Sequence, residues 1–238
     1  LDEARYELEW MLKMQDAKSG GVYHKVTCAN FPGDDVLPQD EKEELIVCPV
    51  STTATYDFAA VMAEASTIYK EYDKAFASKC EKAAKRAMNY GEKAGDDGGF
   101  KNPEGVATGQ YDDTKTWDER YWACAELYKI TKNPEYLETF EAIVKDGMPN
   151  GFGWQSVGDY GNYVFLTMPG AEKESTYQLV YDNFIKQADD LVYETERDGY
   201  RISLEGEYVW GSNLSVANNA MYLILANNIK ANEDYVKA

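Results

Sequence analysis

Four pairs of adjacent acids, Asp34-Asp35, Asp96-Asp97, Asp112-Asp113 and Asp118-Glu119, are the first candidates for chemistry in this 238-residue chain. Two carboxyl groups can divide acid and base duties, or can supply hard oxygen ligands to a cation. The first three pairs fall in turn-rich stretches, where acids are usually solvated. The fourth opens a helical pattern, and there the positive end of the helix dipole favours carboxylates. The single histidine, His24, has no Ser or Cys nucleophile motif beside it and reads as a loop or cleft side chain. Cys28, Cys48, Cys80 and Cys124 lack the CxxC spacing of a compact zinc site. Cys80 and Cys124 lie in helical patterns and read as buried thiols, whereas Cys28 and Cys48 bracket a loop and could form a disulfide or join His24 at a metal.

Aromatic residues are the second resource. The chain has 19 Tyr and 5 Trp, more than a core of this size needs, and aromatic faces both pack cores and stack on the apolar faces of sugars. Trp210 stands at a loop-to-helix junction with Gly211 after it, a position open to a ligand. Trp154 and Tyr208 are further candidates for such a cleft, and Trp10 and Trp122 read as core. The 24 basic residues against 42 acidic ones leave a net charge of −18, which repels phosphate backbones and anionic headgroups, so neither nucleic acid nor membrane is expected as a partner. A neutral glycan is compatible with that charge.

The elements that must position these residues are helical. Apolar spacing at Ala4, Leu8, Met11 and Leu12 predicts a first helix ending near Ser19-Gly20-Gly21. Val22 to Val26 is strand-like, and a long acidic, turn-rich segment runs on to Pro49. Further helices are expected at about 51–69, 74–92, 118–132, 134–145, from 159, 175–196 and 213–229, about eight in all, with the first turn of another at Glu233. Such pairs of helices joined by short turns stack into a solenoid or close into an α/α toroid. The first guess is one large domain, and the helical character at Leu1 and at Ala238 suggests a piece cut at both ends.

Several blocks occur in an order that resembles glycoside hydrolase family 9. They are residues 3–15 with Gly20-Gly21-Val22-Tyr23-His24-Lys25-Val26-Thr27, then Ser51-Thr52-Thr53-Ala54-Thr55-Tyr56-Asp57-Phe58 within 50–63, then Asp118-Glu119-Arg120-Tyr121-Trp122 within 118–128, and Tyr208-Val209-Trp210-Gly211-Ser212-Asn213 within 208–220. The second block is similar to the branch that carries an immunoglobulin-like module before its catalytic domain.

The resemblance implies an all-α (α/α)6 toroid of the six-hairpin glycosidase type, incomplete here, and a secreted cellulase that cleaves β-1,4-glucosidic bonds with inversion. Residues 1–238 would be a partial catalytic domain, partnered by its own remainder and by cellulose or another β-glucan. Inversion needs one carboxylic acid and one carboxylate about 6.5 to 9.5 Å apart. The family takes its base from an Asp-Ala-Gly-Asp motif preceding the first block and its acid from a late Asn-Glu motif, and neither is expected within this stretch. By the same resemblance Trp210 stacks on a glucosyl ring, with Tyr208, Trp154, Asn213 and His24 as further substrate contacts, and Asp118 and Glu119 bind a structural Ca2+. Two departures stand out: Ser156 occupies a position where the family has an aspartate ligand, and Leu214-Ser215 replace an Arg-Tyr pair that touches sugar in some members. A non-catalytic β-glucan-binding or structural half-toroid is the alternative, and another enzyme on the same toroid a third reading.

Overall fold

The computed structural model describes residues 1–204, 206 and 208–238, and among them carries nine α-helices and four two-residue strands. They fall in two compact units, residues 1–132 and 133–238.

In the first unit the packing centres on α2 (Thr52–Tyr69), which has buried residues on every side: Tyr56, Phe58 and Met62 alternate with the small Ala59, Ala60, Ala63 and Ala65. That pattern marks an enclosed helix. Against it lie α3 (Lys74–Ala94), which buries only the face of Phe76, Cys80, Ala84, Ala87 and Gly91, and α4 (Trp117–Thr131), which is enclosed through most of its length. Small residues set the approach distance, since a Cβ on Gly91 would meet the Tyr56 ring at 2.6 Å. A polar tie joins the three helices. The Tyr56 hydroxyl donates to Glu92 on α3 (3.1 Å), and Arg120 on α4 grips the same carboxylate through two N–H groups at 2.6 and 2.7 Å.

α1 (Asp2–Met11) is shorter than its apolar spacing predicts. Beyond Met11 the chain turns so that Gln15 bridges Val22, and the Gln15 amide donates to the carbonyls of Gly20 (2.9 Å) and Ala83 (3.0 Å). These bonds replace the ones a longer helix would make. Trp10, expected in the core, is 43% exposed, while Leu8 is the buried residue of α1. Two helical positions apart is about 200° of rotation, which places Trp10 opposite Leu8.

The strand-like segment is two short strands. β1 (Val22–Tyr23) pairs with β4 (Val50–Ser51), and β2 (Val26–Thr27) with β3 (Ile46–Val47), both antiparallel. β3 lies near the end of the segment predicted as turns, and β4 follows it directly, with Ser51 also capping α2. The register answers the cysteine question: Val26 faces Val47 and Thr27 faces Ile46, so Cys28 lies opposite position 45 and Cys48 opposite position 25. They are offset by three residues, about 10 Å along the strand, beyond the reach of a disulfide, and both are free thiols. Cys80 and Cys124 are buried, as expected, and burial pushes the Cys124 thiol up to about 12.

The second unit carries α5 (Pro134–Asp146), α6 (Gly158–Thr167), α7 (Tyr177–Arg197), α8 (Ser212–Ile229) and the short α9 (Glu233–Lys237). Pro134 opens α5 behind an Asn133 cap, as the sequence suggested. Aromatic pairs hold the helices together: Phe140 meets Phe165 with ring centres 4.5 Å apart, and Phe184 stacks on Tyr222 at 4.5 Å. The Tyr222 hydroxyl donates to the Phe184 carbonyl (3.0 Å).

Helix α6 enters so close to the preceding loop that only glycine fits at its first position. A Cβ on Gly158 would lie 2.4 Å from the Pro149 carbonyl carbon and 2.6 Å from the Asn150 nitrogen, both backbone atoms. At Gly153 the nearest atom would be 3.7 Å away. We expect Gly158→Ala to cost about 1–3 kcal/mol in thermal unfolding followed by circular dichroism, with Gly153→Ala near neutral. Equal melting temperatures for the two would disprove this account of the α6 entry.

Candidate functional site

The sequence-selected residues divide between the units. His24, Asp118 and Glu119 lie in the first; Trp154, Tyr208, Trp210 and Asn213 lie in the second.

His24 follows β1, and its position is set by two side chains. Its Nδ1 meets the Ser51 hydroxyl at 2.8 Å, and its ring stacks on Phe100 at 3.9 Å with a 6° tilt. Burial lowers its pKa, partly offset by the backbone carbonyls of Tyr111 and Gln110. The neutral imidazole is therefore the form held at neutral pH, a hydrogen-bonding side chain rather than a fixed cation. Ser51 also caps α2 through the Ala54 N–H (3.3 Å), and Asp97 accepts from the Thr52 N–H (2.9 Å). One member of an acid pair read as a solvated turn is thus a helix cap. Next to the histidine, Lys25 donates to the Gly109 carbonyl (2.5 Å) and lies over the rings of Phe100 and Tyr111, which fastens the 95–116 loop to the segment between β1 and β2. A small hollow of about 170 Å³ opens beside these groups, lined by Trp10, Met14, His24, Asp57 and Phe58.

Asp118 and Glu119 sit in the first turn of α4 and are buried, Glu119 to 2% exposure. Dipole stabilisation of exposed acids does not describe them. Asp57 on α2 and Asp113 in the preceding loop bring further negative charge to the pair. Burial first, then repulsion from Asp118 and Asp113, pushes Asp57 up to about 8; burial and the charges of Asp57 and Asp118 push Glu119 up as well. Asp57 Oδ1 and Glu119 Oε2 are shut off from solvent and have no hydrogen-bond partner among the described residues. Asp57 was missed in the sequence reading. Its signal was a lone carboxylate inside the otherwise apolar run from Tyr56 to Met62.

Carboxylates with orphaned, buried oxygens fit a hard divalent cation better than they fit one another. Among the described residues no three His, Cys, Asp or Glu side chains converge into a ready cage, so an ion at Asp118 and Glu119 would complete its shell with backbone carbonyls and water, as Ca2+ commonly does.

In the second unit Trp210 is fully exposed and Tyr208, Asn213 and Leu214 are largely so, around the start of α8. Gly211 caps this helix in the left-handed conformation (φ 80°). Trp154 is exposed on the loop before α6. That loop is tied to α8 by the Asn218 amide, which donates to the Phe152 carbonyl at 2.7 Å. The site therefore offers one free indole face with aromatic and amide groups close by in sequence, the kind of surface on which a pyranose ring stacks.

The entire chain, residues 1–238, matches the model of glycosyl hydrolase family 9. It is 36% identical over 244 residues to endoglucanase D of Acetivibrio thermocellus, covering 100% of this chain and 39% of that protein. It is 33% identical to the cellodextrinase of Butyrivibrio fibrisolvens, covering 99% of this chain and 45% of that one. Among solved structures, a thermostable endoglucanase from Alicyclobacillus acidocaldarius, crystallised as a single mutant, superposes with a TM-score of 0.90 at 34% identity, over 96% of this chain and 43% of the other. The chain spans about two fifths of the length of these proteins. The likeness bears out the expected all-α fold of the (α/α)6 type.

The buried carboxyls make stability depend on pH. A carboxyl whose folded pKa is raised binds its proton more tightly in the folded state, so its contribution is complete below the unfolded value near 4 and is lost as pH rises toward the folded value. In EDTA, we expect the melting temperature to fall by about 5 °C between pH 5 and pH 8, and Asp57→Asn to remove at least half of that slope. An unchanged slope in the variant would refute the assignment.

Proposed function

Because the chain belongs to glycosyl hydrolase family 9, we propose that it forms part of the catalytic domain of an endo-β-1,4-glucanase acting on cellulose or a related β-glucan. The observation that carries this reading is the fully exposed Trp210 beside Tyr208 and Asn213, in a block that resembles the family's sugar-stacking motif. A β-1,4-glucan presents flat apolar ring faces, and an indole with no protein group over it offers a matching surface. The names of the relatives agree in substrate class: endoglucanase, cellodextrinase, and a xyloglucan-specific endo-β-1,4-glucanase from Bacteroides ovatus. Tyr208, Trp154 and Asn213 are assigned as further glucan contacts of the second unit, and His24 as a glucan contact of the first unit taken by itself. An insoluble polymer does not enter a cell, so the working place of such a protein is extracellular; among the described residues no helix is long and apolar enough to cross a membrane.

Hydrolysis with inversion requires a general acid and a general base on opposite faces of the bond. No Asp-Ala-Gly-Asp occurs in residues 1–238. The Asn-Glu at 232–233 is a helix start: Asn232 caps α9, and Glu233 is exposed and paired with Lys237 at 3.0 Å. The reading is that this stretch binds glucan and that cleavage needs carboxyl groups from the remainder of the catalytic domain, the chain's natural partner. The 238 residues alone should release no reducing sugar from carboxymethylcellulose, yet cello-oligosaccharides should quench tryptophan fluorescence, and Trp210→Ala should weaken that binding about tenfold. Turnover comparable to an intact endoglucanase would reject the division of labour. Unaltered binding in Trp210→Ala would reject the platform.

Asp118 and Glu119 are assigned to a structural Ca2+, supported by the orphaned oxygens at their cluster. When bound, the ion would neutralise carboxylates on α2 and α4 that otherwise repel one another. Addition of CaCl2 at pH 8 should raise the melting temperature by about 5 °C or more in the wild type and leave Glu119→Gln unmoved, whereas an equal response in both proteins would exclude this site.

A further inference from the structure

The second unit contains a hollow of about 500 Å³ between α6, α7 and α8. None of Trp154, Tyr208, Trp210 and Asn213 lines it. Its lining is rich in hydrogen-bond acceptors. Three amides on its wall have their NH2 groups engaged by the protein: Asn218 donates to the Phe152 carbonyl (2.7 Å), Asn219 to the carbonyl and hydroxyl of Ser203 (2.8 and 3.1 Å), and Gln187 to Asn150 (3.0 Å). Their carbonyl oxygens stay open as acceptors, while one Asn218 N–H and the Ser215 hydroxyl remain able to donate. The Asp190 and Glu194 carboxylates on the α7 wall only accept, and no Lys, Arg or His lines the hollow among the described residues. Beneath, buried Asp159 has its carboxylate bonded to the Gly151 N–H (2.6 Å) and to Asn162 (2.8 Å), so it fixes the floor. Phe152 and Tyr222, edge to face at 5.4 Å, add an apolar surface.

A ligand for this hollow must bring hydrogen-bond donors and an apolar face, and must not be an anion. A bare cation meets neither the size nor the apolar lining, because Ca2+ gathers its oxygens at about 2.3 to 2.6 Å. A phosphate or a uronate would find no positive partner. A neutral saccharide meets all three requirements, and the volume falls in the range of small-ligand pockets, about 300–1,000 Å³. We infer that the hollow is a second saccharide-binding site, separate from the Trp210 face, that takes one or two neutral glucosyl units. The choice of glucosyl units rests on the β-glucan reading; the preference for a neutral, hydroxyl-rich ligand rests on the hollow alone.

The test is a titration of the isotopically labelled 238-residue chain with cellobiose, glucuronate and CaCl2, followed through the side-chain amide signals of Asn218, Asn219 and Gln187 and the indole signal of Trp210. Cellobiose should move the three amides saturably, with the response retained in Trp210→Ala. Glu194→Gln, which keeps the shape of the wall, should weaken it about fivefold, and Ser215→Trp, which fills the hollow, should abolish it. Should Ser215→Trp fail to fold, the charge-neutral Glu194→Gln still decides. Movement of the Trp210 signal with the amides silent overturns the second site and leaves the β-glucan reading standing. Silence of both signals toward cellobiose overturns both. A response of the amides to CaCl2 or glucuronate equal to or greater than that to cellobiose overturns the neutral-saccharide assignment.

Discussion

Enclosing α2 on all sides is the constraint from which the first unit is built. Its alanine rows let α3 and α4 approach until Tyr56 touches Gly91, and at that separation the carboxylate on α2 faces the first turn of α4. Bulk anywhere along those rows would push the helices apart. The same closeness that holds the hydrophobic contact therefore concentrates negative charge at one end of it. Burial of Asp57 and Glu119 is costly in proportion to how well the surrounding helices pack.

Charge is handled differently along the length of these helices. Glu92 is met by the two-pronged guanidinium of Arg120 and by a tyrosine hydroxyl, a geometry in which each oxygen has a donor. At the same end of α2, one position further on, Asp57 Oδ1 and, on α4, Glu119 Oε2 have no hydrogen-bond partner among the described residues. Glu126, fully buried on α4, is intermediate: Lys129 reaches one of its oxygens at 3.3 Å while Oε1 has no partner among the described residues, and burial pushes its pKa up to about 7. Satisfied pairs hold helices together, and unsatisfied acids mark places where a proton or an ion takes part.

Much of the helical frame was legible because its signals are local. Ser51 before an apolar run, Pro134 behind Asn133 and Gly95 after a periodic stretch each mark a boundary within a residue or two of the observed one. The ordered blocks led to the family. What could not be read were features that depend on distant partners. The strands at 46–51 exist because β1 and β2 lie across from them. Trp10 faces away from the buried side of α1 because Leu8 took that side, and the acid pairs parted company, Asp97 becoming a cap and Asp118-Glu119 a buried pair, through neighbours far away in sequence. In the second unit the hollow has no sequence signature, since its lining is gathered from loops and three helices far apart in sequence.

The bare indole of Trp210 carries a kinetic consequence. Among the described residues no packed neighbour restrains its rotation, so on the proposed glucan reading part of the stacking energy would be spent in stilling the side chain. Contact at any single ring is then brief. On that reading, a long glucan held by a succession of such brief contacts would be released and regripped one unit further along without leaving the surface.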